Sequence, residues 1–304
     1  MSYSAKQRRE CFVFVLLFLF ISIQSTVSTE PSPLQLTSRL SKPSYLEGEP
    51  IVILLRLINV GQKELKVAEL LVREGFLKIV LKDAEGKDVN IPRLVWDILM
   101  PPQDYGIQLA PGKSLEMSWS LNKSYPFGLE VGSYRVTPVY NTARYASAYP
   151  QIWHGVITGD ELRFDVKAPT GTEIAAWNLF KGARDILSSR SSTEYPKAGK
   201  IFSDLIAKYP DSVYVPYASY LIGESYYFMQ ADNTQHFAEA VPAFKSFLAR
   251  FPNYPYYSDS ARSYLAFSLH KTGQNKRALQ ILEQVPDGRG KDNMLKIINS
   301  SLKE

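Results

Sequence analysis

The chain of 304 residues is nearly without cysteine and histidine. Its single cysteine, Cys11, sits inside an apolar run near the N-terminus. Everything after it therefore has no thiol, which excludes disulfides, cysteine-based zinc sites and a cysteine nucleophile. Of three histidines, His154 has Trp153 and Gly155 beside it, and His236 and His270 lack metal-ligand spacing to one another or to a carboxylate pair. There is no Gly-rich phosphate loop, nucleophile elbow or paired acidic motif. Lys and Arg are scattered without a dense run, which argues against nucleic-acid binding. These gaps lead to the expectation of no enzyme activity, no catalytic residue, no cofactor and no metal.

Long apolar runs are equally scarce. The one candidate is Cys11 to Ile23, preceded by Lys6, Arg8 and Arg9 and followed by Ser25, Thr26, Val27, Ser28 and Thr29. Basic residues, a short apolar run and small polar residues are the order of a secretory signal, and cleavage is expected near Ser28. The alternative is an uncleaved anchor, lengthened by Ile23 to Val27. A cysteine ahead of the apolar run is the wrong place for a lipid attachment site. Lys6, Arg8, Arg9 and Glu10 lie in this leader, so without it the formal charge falls from +5 to +3. No membrane span is expected in the mature chain, which places it in the periplasm or outside the cell.

Residues 34–168 read as strands. Leu34, Leu36 and Leu40 open the region. The turn Tyr45-Leu-Glu-Gly-Glu-Pro50 leads into an Ile51 to Asn59 run that is short and β-branched. Asp83-Ala-Glu-Gly86 is a hairpin-type turn. Leu115, Met117, Trp119 and Leu121 alternate with polar residues, as do Tyr134, Val136, Pro138 and Tyr140, and Leu162, Phe164 and Val166 close the region. Short alternating strands between Gly/Pro turns argue for two packed antiparallel sheets. The turn phrases at 45–50, Asn59, Pro111-Gly112, Gly132-x-Tyr134 and Trp153-x-Gly155 resemble bacterial immunoglobulin-like domains of cell-envelope proteins. The residues between Ile91 and Gly106 read as a long surface loop. Trp96, Trp119 and His154 are read as structural.

After Ala168-Pro-Thr-Gly171 the period becomes helical. Ala198, Phe202 and Tyr209-Pro210 recur as Ala240, Phe244 and Phe251-Pro252, each displaced by 42 residues. Ala278, Leu282 and Pro286 form a weaker third copy. The spacing resembles the tetratricopeptide repeat of exported bacterial proteins, with Gly223 and Ala266 at its small-residue position between paired helices. Hairpins are expected at 173–209, 215–251 and 258–286, with a capping helix at 291–302. The loop around Ala231 carries about five residues beyond the family spacing. The fold expected is thus multidomain β + α: a signal at 1–28, an immunoglobulin-like antiparallel sandwich at 34–168 and an α-α solenoid at 170–304.

Solenoids bind partners on their concave face. By position, the resemblance assigns to that face Trp177, Phe180 and Arg184, then Tyr217, Tyr220, Glu224, Tyr227 and Phe228, then Ser260, Ser263, Phe267, His270 and Lys271. The function expected is an exported, non-enzymatic adaptor that holds a protein partner in the cell envelope. The competing expectation is a peptidase inhibitor or carbohydrate-binding module working through loops of the β region. Asn122-Lys-Ser124 and Asn299-Ser-Ser301 are glycosylation sequons, relevant only in a eukaryotic secretory pathway.

Overall fold

The computed structural model describes residues 32–70, 75–90, 106–123, 128–188, 194–228, 236–287 and 289–302. The apolar leader with Cys11, the segment 91–105 with Trp96, and the loop 229–235 lie outside the described residues.

The first half is β-rich. Its strands are β1 (Leu34–Leu40), β2 (Ser44–Leu46), β3 (Val52–Asn59), β4 (Leu65–Ala68), β5 (Leu77–Lys82), β6 (Gly106–Leu109), β7 (Ser114–Ser120), β8 (Gly132–Asn141), β9 (Val156–Thr158) and β10 (Leu162–Lys167). One sheet runs β1-β3-β7. A second runs β2-β10-β8-β5, with β9 on β8, and β4 pairs β6. All pairings are antiparallel except β2 with β10, which is parallel, so the expectation of purely antiparallel sheets needs correcting at that edge. The chain reaches this edge from the Lys42-Pro43 bend rather than from a hairpin.

Alternation explains which side of each strand is buried. In β3, Ile53, Leu55 and Leu57 enter a core shared with Leu36, Leu81, Val136, Tyr140 and Phe164. Leu115, Met117 and Trp119 of β7 lie against that core. The opposite sides of β3 and β7 carry Val52, Leu54 and Arg56 paired with Ser120, Ser118 and Glu116.

The second half holds α1 (Thr172–Ser188), α2 (Tyr195–Lys208), α3 (Val215–Phe228), α4 (Phe237–Arg250), α5 (Tyr257–Lys271), α6 (Asn275–Leu282) and α7 (Arg289–Ser301). None is long and apolar enough to cross a membrane. The repeated aromatic-Pro phrase ends α2 and α4 identically. Tyr209 and Phe251 both take φ −131°, ψ 63°, and their amides donate to Leu205 O and Phe247 O at 2.8 Å. A following proline bars the helical region to the preceding residue, which stops the helix there. Gly223 lets α3 and α4 approach: a Cβ at 223 would lie 2.6 Å from the Phe244 ring. α6 has only 8 residues, and no Tyr-Pro or Phe-Pro closes it.

Pro33–Glu304 cohere as one compact unit, because the outer side of the β1-β3-β7 sheet packs on the helices. Val52 belongs to the helical core, and Leu46 and Leu54 pack against it. Two hydrogen bonds fasten the joint. The Tyr214 hydroxyl donates to Glu47 O at 2.7 Å, and Ser120 Oγ shares a hydrogen bond with the Tyr257 hydroxyl at 2.7 Å. At the first of these points the 47–49 turn lies under Trp177, whose ring stacks on Tyr214 with centroids 5.5 Å apart. Gly48 has φ +79°, and any Cβ there would run into the Trp177 ring. Asn122 holds the turn from behind, accepting from Ile51 N at 2.8 Å and donating to Glu49 O at 3.2 Å. Its amide is thus buried and occupied, so the first sequon is closed to modification in the folded chain.

Gly48→Ala therefore meets two penalties and Gly112→Ala one. Gly112 has φ +72°, and a methyl added there would have nothing within 4 Å. Urea denaturation should show a loss of about 1 kcal/mol for Gly112→Ala, the cost of the left-handed backbone alone. For Gly48→Ala the loss should exceed about 2 kcal/mol, because Trp177 must also shift.

Candidate functional site

The residues expected on the concave face divide into two groups. Trp177, Phe180, Arg184, Tyr217 and Tyr220 are buried, which corrects the expectation of an open aromatic face along the first two repeats. The cause is aromatic packing between successive helices, joined by the 47–49 turn of the β region, which lies against Trp177. Phe180 stacks on Tyr214 with centroids 5.1 Å apart. Tyr257 meets both Tyr217 and Tyr220 at 4.8 Å. Arg184 donates to the Tyr217 hydroxyl at 2.6 Å, which satisfies part of a buried guanidinium. Glu224, half-buried, accepts from the Tyr220 hydroxyl at 3.0 Å.

Tyr227, Phe228, Phe267, His270 and Lys271 gather where α3 and α5 end. The Tyr227 ring lies tilted against Tyr264 with centroids 4.4 Å apart and edge-on to Phe267 at 5.9 Å. Lys271 Nζ lies 5.2 Å over the Phe267 ring, a cation–π contact. His270 Nδ1 hydrogen-bonds Asn275 Oδ1 at 2.8 Å, which gives it a structural role at the start of α6. Phe228 is 39% exposed.

An open cleft of about 1040 Å³ lies between the outer side of the β1-β3-β7 sheet and helices α5 to α7. Its floor follows the strand register. The row Val52–Ser120 is covered by helices; the next rows, Arg39–Leu54–Ser118 and Thr37–Arg56–Glu116, line the cleft. The opposite wall is α5 with Asp259, Ser260, Ser263 and Tyr264, continued by Val285, Lys291 and Met294. Ser260 and Ser263 are the third-repeat positions assigned to the concave face. Tyr264 joins this cleft to the aromatic group around Tyr227.

Three signals of the cleft escaped sequence reading. The polar side of β7 (Glu116, Ser118) looks like an ordinary solvated strand face. Arg39 lies in a strand read only for its leucines. Tyr256, on the cleft rim, has φ 65°, ψ −50°, and is the one non-glycine with positive φ among the described residues. The Tyr257 amide donates to Pro255 O at 2.8 Å, which closes a γ-turn of the rare, strained hand. Nothing in the local residue types announces it.

Several charged groups have ordinary structural partners. His236 Nδ1 is 3.5 Å from Glu239, and Arg262 pairs with Asp259 at 2.9 Å. Neither ring nitrogen of His154 has a hydrogen-bond partner among the described residues. No group of three His, Cys, Asp or Glu side chains that could hold a metal occurs among them.

A tetratricopeptide repeat family model matches residues 217–254, which covers α3, α4 and the start of the next turn. No curated protein matches the chain. Among solved structures, a sporulation control protein, Spo0M, from Bacillus subtilis is similar at 11% identity and TM-score 0.27, covering 52% of this chain and 56% of that one. A structural genomics target, SoR45, is similar at 13% identity and TM-score 0.20, covering 45% and 86%. The chain thus spans little more than half of Spo0M, and likenesses this distant carry no argument about function.

The buried tyrosines of the helical region give a pH prediction. Burial pushes the Tyr227 phenol up to about 12. Burial also raises Tyr214, with Glu173 adding to it, and Tyr220 and Tyr257 well above their ordinary value. Below about pH 10 both folded and unfolded chains keep these phenols neutral, so they do not affect stability. Above that value only the unfolded chain ionises freely, and stability falls by about 1.4 kcal/mol per pH unit for each such phenol. Tyrosinate absorbance should lag behind free tyrosine and then rise together with loss of helical circular dichroism above pH 10. Gradual ionisation at pH 10 with the helices intact would contradict it.

Proposed function

We propose that this protein is a non-enzymatic interaction adaptor of the cell envelope, exported by its leader, with an immunoglobulin-like β module and a tetratricopeptide-type module that together hold a protein partner. The tetratricopeptide match and the stacked hairpins support a protein-interaction role. The observation that carries the finer reading is that the third repeat presents Ser260 and Ser263 into an open cleft, while Trp177, Phe180, Tyr217 and Tyr220 of the first two repeats are buried. A repeat scaffold uses its concavity for binding, and here only the third-repeat end is available for that. The β module has two roles in this reading: it completes the core of a solenoid near the minimum length, and it supplies the cleft's second wall.

The test uses the whole chain, since β region and helices pack together as one compact unit. A photo-crosslinking residue replacing Ser263 should yield partner adducts in the native envelope. The same residue replacing Lys245, exposed on α4, should yield none. Adducts from position 245 and none from 263 would sink the reading. Fractionation with N-terminal sequencing checks the location: a chain starting near residue 29 in the envelope fraction is expected.

A further inference from the structure

We propose that the cleft between the β1-β3-β7 sheet and α5–α7 takes an extended peptide bearing a carboxylate beside an apolar side chain, with Arg39 as the carboxylate's partner. This rests on the reading of the cleft as the partner site.

The floor decides the mode of recognition. β3 is paired on both sides, by β1 and by β7, so its backbone offers no free ladder to an incoming strand. Binding over β3 is through side chains. The charges on the walls are then the main determinant of what fits. Arg56 lies 3.3 Å from Glu116, Lys291 lies 2.9 Å from Asp287, and Asp259 is taken by Arg262 at 2.9 Å. Arg39 is exposed, lines the cleft, and its side chain has no ion pair or hydrogen bond among the described residues. The unmatched charge of the cleft is therefore a guanidinium, which pairs with carboxylates through a fork of donors.

The surroundings of Arg39 define the rest of the ligand. Leu54 is its register partner on β3, and Val285 and Met294 supply apolar surface on the facing wall. Hydroxyls of Ser118, Ser260 and Ser263 line the remainder. A volume of about 1040 Å³ is at the upper end of small-ligand pockets, about 300–1,000 Å³, and the cleft is open, which suits a chain that enters and leaves. One unmatched cation with Glu116 and Asp259 nearby is a poor match for nucleic acid or an anionic membrane, both of which require many basic groups.

The γ-turn at Pro255-Tyr256-Tyr257 is an independent pointer to this place. Backbone of this kind costs about 1–3 kcal/mol and persists where surrounding structure over-determines it, often at ligand clamps. Here it sits on the cleft rim, and its Tyr256 ring packs edge-on against Tyr257 with centroids 5.0 Å apart, which connects the rim to the buried joint.

The experiment pans a phage-displayed octapeptide library on the purified full-length protein and measures recovered peptides by fluorescence anisotropy. Enrichment of Asp or Glu next to Leu, Ile or Met is expected, with binding weakened on the order of tenfold by Arg39→Glu and by raised salt. Enrichment of basic or uncharged peptides, or affinity unchanged in Arg39→Glu, would overturn the carboxylate assignment. Ser263→Trp, which fills the cleft, separates this from the wider reading. If it abolishes binding of whatever peptides are recovered, the cleft remains the partner site. If it leaves binding intact, or if no peptide binds, both fall. Melting temperatures of the variants confirm that each is folded.

Discussion

The architecture depends on one packing constraint: a tight turn must lie flat beneath an indole. Gly48 alone meets both demands, a left-handed backbone and no side chain under Trp177. With the turn in place, the Tyr214 hydroxyl reaches Glu47 O, and the row Val52–Ser120 closes on the helices with Tyr257 above it. A buried hydroxyl without a partner is costly, so each of these tyrosines must find its hydrogen-bond partner in the β region for the aromatic core to be stable. The joint thus ties the helical core, which takes in Val52, to the β region by packing and hydrogen bonds together.

The solenoid shows the same economy. Its first two hairpins end in the same backbone conformation, and Gly223 brings α3 and α4 together where a methyl would collide with Phe244. The third hairpin departs from the pattern. α6 is short, α7 follows, and the wall beside the sheet is left uncovered. The cleft is therefore a product of broken regularity at one end, beside a first half whose aromatic positions are buried.

Local order was legible in the sequence because its causes are local. The 42-residue echo of Ala198, Phe202 and Tyr209-Pro210 reflects helix stripes and proline stops. Leu115, Met117 and Trp119 reflect the strand period. The Tyr45 to Pro50 phrase was legible as a turn but not as the joint, since the indole that covers it lies far along the chain. The fate of Trp177, Phe180, Tyr217 and Tyr220 was hidden in the same way: their helical positions fit an open face, and the aromatic rings of neighbouring helices, with the Gly48 turn at Trp177, bury them. Arg39 and the backbone of Tyr256 gave no signal, because an exposed strand arginine and a tyrosine after proline are commonplace in composition.

The Ser120–Tyr257 bond joins residues 137 apart, and Tyr214–Glu47 joins residues 167 apart. Such separations have a kinetic meaning. Loop closure must precede the contacts that reward it, so assembly of the joint belongs to the slow, high-contact-order end of folding. At a synthesis rate of about 5–20 residues per second, the outward side of β3, with Val52 and Leu54, waits roughly ten seconds or more for α5. In that interval Val52 and Leu54 stand on an otherwise polar sheet face without their helical cover.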